Sequence, residues 1–319
     1  MNAPQPAHGA RRDLLEALVA GARRALRERG ESPPASWVEE ATEDLSAGRL
    51  LGWWLPEEEG GGGIAFGSVR GRTAFGHVHV AEGADVGDRV VRLLDAFRSG
   101  IPGSVEELDL GFTGLSAEEE AALSSRLGER AHVHLLSRVA MERAIGPDDE
   151  APVGDVPPGI RHFPIRAIPR DALAELDWRA FAGTLDAELV GRNATEFRRM
   201  LDELIAGRMG RFLDEASTAL VDGSSGELLA AILTGEQTPR LAVYLDVMVE
   251  PRHRRHGFGR YLVRWGFRAL AALGFPRVRL WVTEANAPAL GLYERAGFRP
   301  VARALIYRES RSEGQPQRG

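Results

Sequence analysis

The sequence contains no cysteine. That excludes disulfides, thiolate metal sites and a cysteine nucleophile. It contains no lysine either, so all 40 Lys+Arg residues are arginine. A lysine general base or Schiff base is excluded with it; a GC-rich coding bias explains the arginine usage more simply than any function. No apolar run approaches the roughly 20 residues that a bilayer span needs. The first ten residues lack the basic-then-apolar layout of a secretory signal. A positive balance is also missing: the formal net charge is −6, which argues against broad nucleic-acid binding. These absences lead us to expect a cytoplasmic chain with neither a nucleic-acid nor a membrane partner, and they leave oligomerisation open.

What is present is ordinary for a globular protein, 44% apolar and 27% charged over 319 residues. That length allows two domains, each with its own core. In the first half, Leu14, Leu15, Leu18, Val19, Ala22 and Leu26 recur at helical spacing over 11–28, and a second helix is expected over 36–45. Strands are expected at 50–55, 64–69, 72–80, 105–110 and 131–141, with helices at 88–97 and 116–127. The glycine run 60–63 reads as a flexible tip, because no helix follows it. His77-x-His79 and His132-x-His134 each place two imidazoles on one strand face. No acidic partner has a matching spacing, so they read as satisfied or surface histidines, and no metal is expected.

Residues 146–158 are polar and proline-rich and read as a linker between domains 1–145 and 159–319. Beyond it, a strand is expected over 160–168 and a helix over 171–181 with Asp171 as N-cap. An irregular stretch reaches Asp186, and a helix covers 195–205. A hairpin pairs 217–221 with 228–233 around Asp222-Gly-Ser-Ser-Gly226. Strand 241–249 follows. After the next helix and its Gly274 stop come strand 277–282, helix 286–295 and a closing strand 298–307. The order is β-α-α-β-β-β-α-β-α-β, much of it repeated from the first half, which makes an α/β chain with mixed sheets.

The densest signal is Val247-Met248-Val249-Glu250-Pro251-Arg252-His253-Arg254-Arg255-His256-Gly257-Phe258-Gly259-Arg260. An apolar strand runs into a basic, glycine-bearing turn and then into a helix. Gly257 and Gly259 let the backbone approach a bulky ligand. The helix start offers unpaired N–H groups and a positive dipole end, a site for an anion. Phosphates are the expected occupant, with Arg252, Arg254, Arg255 and Arg260 around them.

These residues resemble the GNAT superfamily of acyl-CoA-dependent N-acetyltransferases. The resemblance covers 160–307 and rests on Val249-x-Pro251, Arg254-x-x-Gly257-x-Gly259, and Asn286 seven residues before Tyr293 in a helix ending Ala296-Gly297-Phe298. It implies that Val247, Met248, Val249, Arg254, Arg255, His256, Gly257, Phe258, Gly259, Arg260 and Asn286 bind acetyl-CoA. It implies that Tyr293 protonates the departing thiolate. The base is less sharply marked. Asp246, on the face of its strand opposite Leu245, Val247 and Val249, is one candidate; Glu284, Glu215 and Asp186 are competitors or substrate contacts.

The first half reads as a degenerate copy. Aligning Val78-x-Val80 with Val247-x-Val249 leaves a shortened loop with Glu82 and Asp85 in place of arginines, and Ser124 where Tyr293 would fall. The resemblance therefore implies a tandem acyltransferase whose chemistry sits in the second domain. It would move acetyl to a primary amine of a small-molecule or peptide acceptor, by direct attack in a ternary complex. Tandem architecture of this length also resembles mycothiol synthase, which acetylates a cysteinyl pseudo-disaccharide. A non-catalytic acyl-CoA sensor or interaction module is the rival from another class, and Asn286 and Tyr293 speak against it.

Overall fold

The computed structural model describes residues 3–28, 33, 36–56, 62–83, 85–151, 158–184, 186, 194–207 and 211–311. Residues 60–61 of the expected tip and 152–157 of the expected linker therefore lie outside the described residues. Two compact units are present, residues 1–138 with 302–319, and residues 139–301. Among the described residues no helix is long and apolar enough to cross a membrane.

The first unit opens with β1 (Gln5–Pro6), α1 (Arg12–Glu28) and α2 (Trp37–Ser46). Strands β2 (Leu51–Leu55), β3 (Gly63–Arg70) and β4 (Thr73–Val80) then pair antiparallel in sequence. Helix α3 (Val86–Gly100) crosses over to β5 (Glu107–Thr113), which lies parallel to β4. Helix α4 (Ala117–Gly128) follows, started by a reciprocal cap between Ser116 and Glu119, and β6 runs Val133–Ala144. Val90, Leu93, Leu94 and Phe97 of α3 lie in one core with Val78, Leu108 and Phe112 of the sheet.

The second unit repeats this plan. It holds β7 (Ile160–Pro164), α5 (Arg170–Phe181), α6 (Ala194–Ile205), β8 (Arg211–Phe212), β9 (Thr218–Asp222), β10 (Leu228–Thr238), β11 (Leu241–Val249), α7 (Phe258–Ala272), β12 (Arg277–Thr283) and α8 (Ala287–Arg295). Strands β7, β9, β10 and β11 are antiparallel neighbours in that order, whereas β12 is parallel to β11. Helices α7 and α8 cover one sheet face and α5 and α6 pack with residues of the other. Asp171 is not the cap expected of it: α5 starts one residue earlier, after Pro169, and Asp171 lies in the first turn. Proline disfavours helical angles in the residue before it, so the boundary falls there.

The strand that ends the chain, β13 (Arg299–Ser310), was expected to close the second domain. Its Ile306–Ser310 stretch instead pairs with β5, and the compact unit it joins is the first. Leu305 and Tyr307 are fully buried in that unit's core, with Tyr307 edge-on to Phe112 at a centroid distance of 6.3 Å. Conversely, Val139 and Met141 of β6 belong to the second unit's core. There Glu142 takes Arg277 at 3.2 Å and the buried Arg279.

Candidate active site

Strand β11 carries a local irregularity that decides the site. Leu233 pairs with Asp246 but Thr234 pairs with Tyr244, so Leu245 is an extra residue, a bulge. A bulge interrupts alternation, and Leu245 consequently packs with the α5/α6 core on the same side as Met248, while Tyr244, Val247 and Val249 pack with the α7/α8 core. Leu245 therefore does not share a face with Val247 and Val249, contrary to simple period-2 reading. The parallel ladder between β11 and β12 covers only Ala242↔Val278, Val243↔Arg279 and Tyr244↔Leu280. Beyond Tyr244 the ladder stops, which leaves the edge of Asp246–Val249 for an added extended chain.

The loop after β11 makes one 3-10 turn, Pro251–His253. Arg255 (φ 66°) and Gly257 (φ 87°) then both adopt left-handed backbone on either side of His256. Alternating backbone of this kind turns successive N–H groups toward one concavity that suits an anion. It opens directly into the 15-residue helix α7, whose dipole end adds to it. A Cβ on Gly257 would meet no atom within 4 Å, whereas one on Gly259 would meet Leu292 Cδ2 at 3.3 Å. Gly257 thus keeps space open above the loop, and Gly259 lets α7 approach α8.

The arginines divide. Arg254 donates to the carbonyl of Ala180 at the end of α5, and Arg252 pairs with Glu227 at 2.7 Å. Nearby, Arg179 holds the buried Glu250 at 2.8 Å. Arg255 and Arg260 are exposed and have no ion-pair partner among the described residues. Of the cations named from sequence, these two remain for a phosphate group. The Met248 side chain is fully buried, so that residue can offer only backbone.

Asn286 caps α8: its Oδ1 accepts from the Ala289 N–H at 3.2 Å, and its Nδ2 donates to Asp186 Oδ2 at 2.9 Å. The other Asp186 oxygen accepts from the Thr283 hydroxyl. Asp186 is 7% exposed, so this carboxylate fastens its loop to the end of β12 and the start of α8. Tyr293, about two turns along α8 from that cap, is 9% exposed and packs edge-on to Phe298 with centroids 5.7 Å apart. Glu215 is exposed in the short turn Asp214–Ala216, and Glu284 is half-buried just after β12.

One residue of the site went unread in the sequence. Asp177 of α5 is completely buried, and its carboxyl interacts with that of Asp246. Burial pushes its pKa well above the ordinary carboxylate value, and the charge of Asp246 raises it further. The signal was available: Leu173, Leu176, Asp177 and Ala180 form one core-facing row at i, i+3, i+4 and i+7.

The corresponding place in the first unit is built differently. There β4 and β5 stay paired over seven residues, from Thr73↔Glu107 to His79↔Thr113, with no bulge between β3 and β4. The Thr113 hydroxyl sits 2.7 Å from His77 Nε2 and 3.0 Å from His79 Nδ1, satisfying both imidazoles. Asp85 (φ 53°) is the left-handed residue before α3. The buried Arg89 donates to the carbonyls of Gly62 and Ala81 at 3.2 and 2.9 Å. A cavity of about 600 Å³ lies beside α1, walled by residues including Leu14, Leu18, Trp54 and His79. It is distinct from the loop-and-strand arrangement of the second unit.

Comparison with known proteins places this arrangement. Residues 171–298 match the model of the acetyltransferase (GNAT) family. Over 243 residues the chain is 26% identical to the mycothiol acetyltransferase of Thermomonospora curvata, covering 68% of this chain and 82% of that protein. Three further mycothiol acetyltransferases match over only 58%, 52% and 48% of their own length. A GCN5-related N-acetyltransferase from Sphaerobacter thermophilus shares the fold with a TM-score of 0.61 at 17% identity, over 96% of this chain and 95% of that one. A tandem GNAT protein from the clavulanic acid biosynthesis pathway gives 0.51 at 15% identity, over 98% and 99%. Over residues 171–298 the chain matches the GNAT acetyltransferase family, and the fold of solved GNAT proteins extends over nearly its whole length.

Proposed function

We propose that the second unit moves an acetyl group from acetyl-CoA to a primary amine of a small-molecule or peptide acceptor, by direct attack in a ternary complex. The observation that carries this reading is the interrupted β11–β12 ladder leading into the left-handed loop at the head of α7. Pantetheine is an extended, amide-bearing chain that suits the free edge of Asp246–Val249. The pyrophosphate suits the loop N–H groups, with Arg255 and Arg260 beside them. In the first unit the ladder is closed and the loop carries Asp85, so one cofactor molecule per chain is proposed.

The chain's own residues supply the proton movements. An alkylamine has a pKa near that of lysine, about 10.4, and must become neutral before it attacks. Asp246, half-buried at the bulge, is the base in this reading and takes that proton directly or through one water. Tyr293, held by Phe298, donates its phenolic proton to the departing thiolate. Glu215 and Glu284 carry negative charge on the acceptor side, which suits a cationic amine. Asp186 keeps the α8 end in place and is not a free substrate contact, since both its oxygens are bonded.

A second reading is the cysteinyl pseudo-disaccharide acceptor that the resemblance to mycothiol synthase implies; the mycothiol acetyltransferase relatives support it. Acetyl-CoA consumption should be measured against amine, peptide, polyamine, aminoglycoside and cysteinyl-sugar panels. Acetylation of any one of these supports amine transfer and names the acceptor class. Consumption by none of them overturns the reading.

A further inference from the structure

His162 of β7 stands in a hydrogen-bonded chain that runs from this edge strand to the head of α7. Its Nδ1 lies 3.1 Å from the Thr218 hydroxyl and its Nε2 lies 2.8 Å from that of Tyr261. Thr218 gives its own hydrogen to the Phe163 carbonyl at 3.2 Å. It therefore accepts from His162, and the imidazole hydrogen sits on Nδ1. In a neutral ring Nε2 then carries a lone pair, which accepts the Tyr261 O–H. Trp265, one turn further along α7, stacks on the same ring at 5.6 Å and 28°. Tyr261 in turn closes the first turn of α7, its N–H donating to the Gly257 carbonyl at 2.9 Å. The imidazole is half-buried, and burial lowers its pKa by disfavouring the charged form. The charged side chains on the same elements are Arg161 on β7, Asp222 on β9, and Arg260, Arg264 and Arg268 on α7; burial alone accounts for the shift.

We propose that His162 is a positioning residue for the coenzyme, holding Tyr261 and through it Gly257, so that the loop keeps its N–H groups turned to the phosphates. This rests on the reading of that loop as the coenzyme A site. Gly257 is the left-handed residue (φ 87°) at which the loop becomes helix. Its carbonyl is fixed by the Tyr261 N–H, and the Tyr261 side chain is fixed by His162. A protonated ring has hydrogens on both nitrogens and no lone pair. It cannot accept from Tyr261, so the hydroxyl must turn or withdraw and the first turn of α7 loses that anchor. His162 has no part in the proton movements at the acetyl group or the acceptor. Its effect therefore falls on coenzyme affinity and leaves the chemical step unchanged.

Calorimetric titration of coenzyme A into wild type, His162→Gln and His162→Leu, at about pH 7.5 and about pH 5, tests this. A glutamine amide can donate to Thr218 and accept from Tyr261 without titrating, so His162→Gln should match wild type within about twofold at the higher pH. Leucine makes neither bond. His162→Leu should bind about fivefold more weakly there, with turnover at saturating acetyl-CoA within about twofold of wild type. The unfolded chain protonates His162 near pH 6.5 and the folded chain only below that, so what the neutral ring contributes is present above about pH 6.5 and lost as pH falls. The coenzyme's own phosphates titrate near pH 6 for every chain alike, so wild type is read against the glutamine variant. Between the two pH values wild type should lose about fivefold more affinity than His162→Gln. Glutamine and leucine variants that bind alike, or a wild-type pH dependence equal to that of His162→Gln, overturn the positioning role and leave the coenzyme site standing. A wild type that binds no coenzyme A overturns both. If His162→Leu does not fold, Tyr261→Phe removes the same bond by one hydroxyl and should weaken binding equally; unchanged affinity in that variant overturns the proposal.

Discussion

Asn286 Nδ2 lies 2.9 Å from Asp186 Oδ2, so the residue that caps α8 is itself held by a carboxylate a hundred positions earlier in the chain. That bond ties the end of the α5 loop to the helix that presents Tyr293. Asp186→Ala would strand the buried Thr283 hydroxyl and one Asn286 N–H. Hydrogen bonds to a charged group contribute about 1.5–3 kcal/mol each, so the variant should lose about 2 kcal/mol or more of stability. Chemical denaturation followed by tryptophan fluorescence measures it. A midpoint equal to wild type would mean that the carboxylate does no fastening.

Tyr293→Phe should lower turnover by about 10²–10⁴-fold, the usual contribution of a general acid. The ring's edge-on contact with Phe298 survives the change, so affinity for coenzyme A should stay within about twofold of wild type. Initial rates under single-turnover conditions, together with a binding titration, separate the two effects. Full turnover in the variant would reduce Tyr293 to an aromatic anchor.

Tyr307→Ala should act on the first unit. Tyr307 is fully buried against Phe112, and its hydroxyl donates to Glu309 at 2.6 Å. Truncating a buried aromatic costs about 3–5 kcal/mol. Calorimetry should show a lowered first-unit transition, while coenzyme A affinity in the second unit stays near wild type. Loss of coenzyme A binding with an unshifted first-unit transition would contradict the placement of β13.

The loop at 250–257 was legible because its glycines, proline and arginines are each there for a local backbone or charge reason. The closing strand at 298–307 was legible as a strand; its residues do not mark the sheet that it enters, and β13 pairs with β5 of the first unit. The bulge at Leu245 was not legible, because an extra residue leaves the apolar pattern 241–249 unchanged. Asp186 looked like a substrate contact because it stands in an irregular stretch, whereas its partners Thr283 and Asn286 are distant in sequence. Asp177 was readable as an acid inside an apolar helical row, and only packing against β11 shows what it faces.

The central claim is that coenzyme A is held once per chain, by the loop that ends in Gly257. Calorimetric titration of coenzyme A into wild type and Gly257→Val tests it most directly. Gly257 sits at φ 87° with open space above it, so valine there brings both backbone strain and a branched side chain into the room the phosphates need. The account predicts one site per chain in wild type and at least tenfold weaker binding in the variant. Two sites per chain, or one site of unchanged affinity in Gly257→Val, would contradict it.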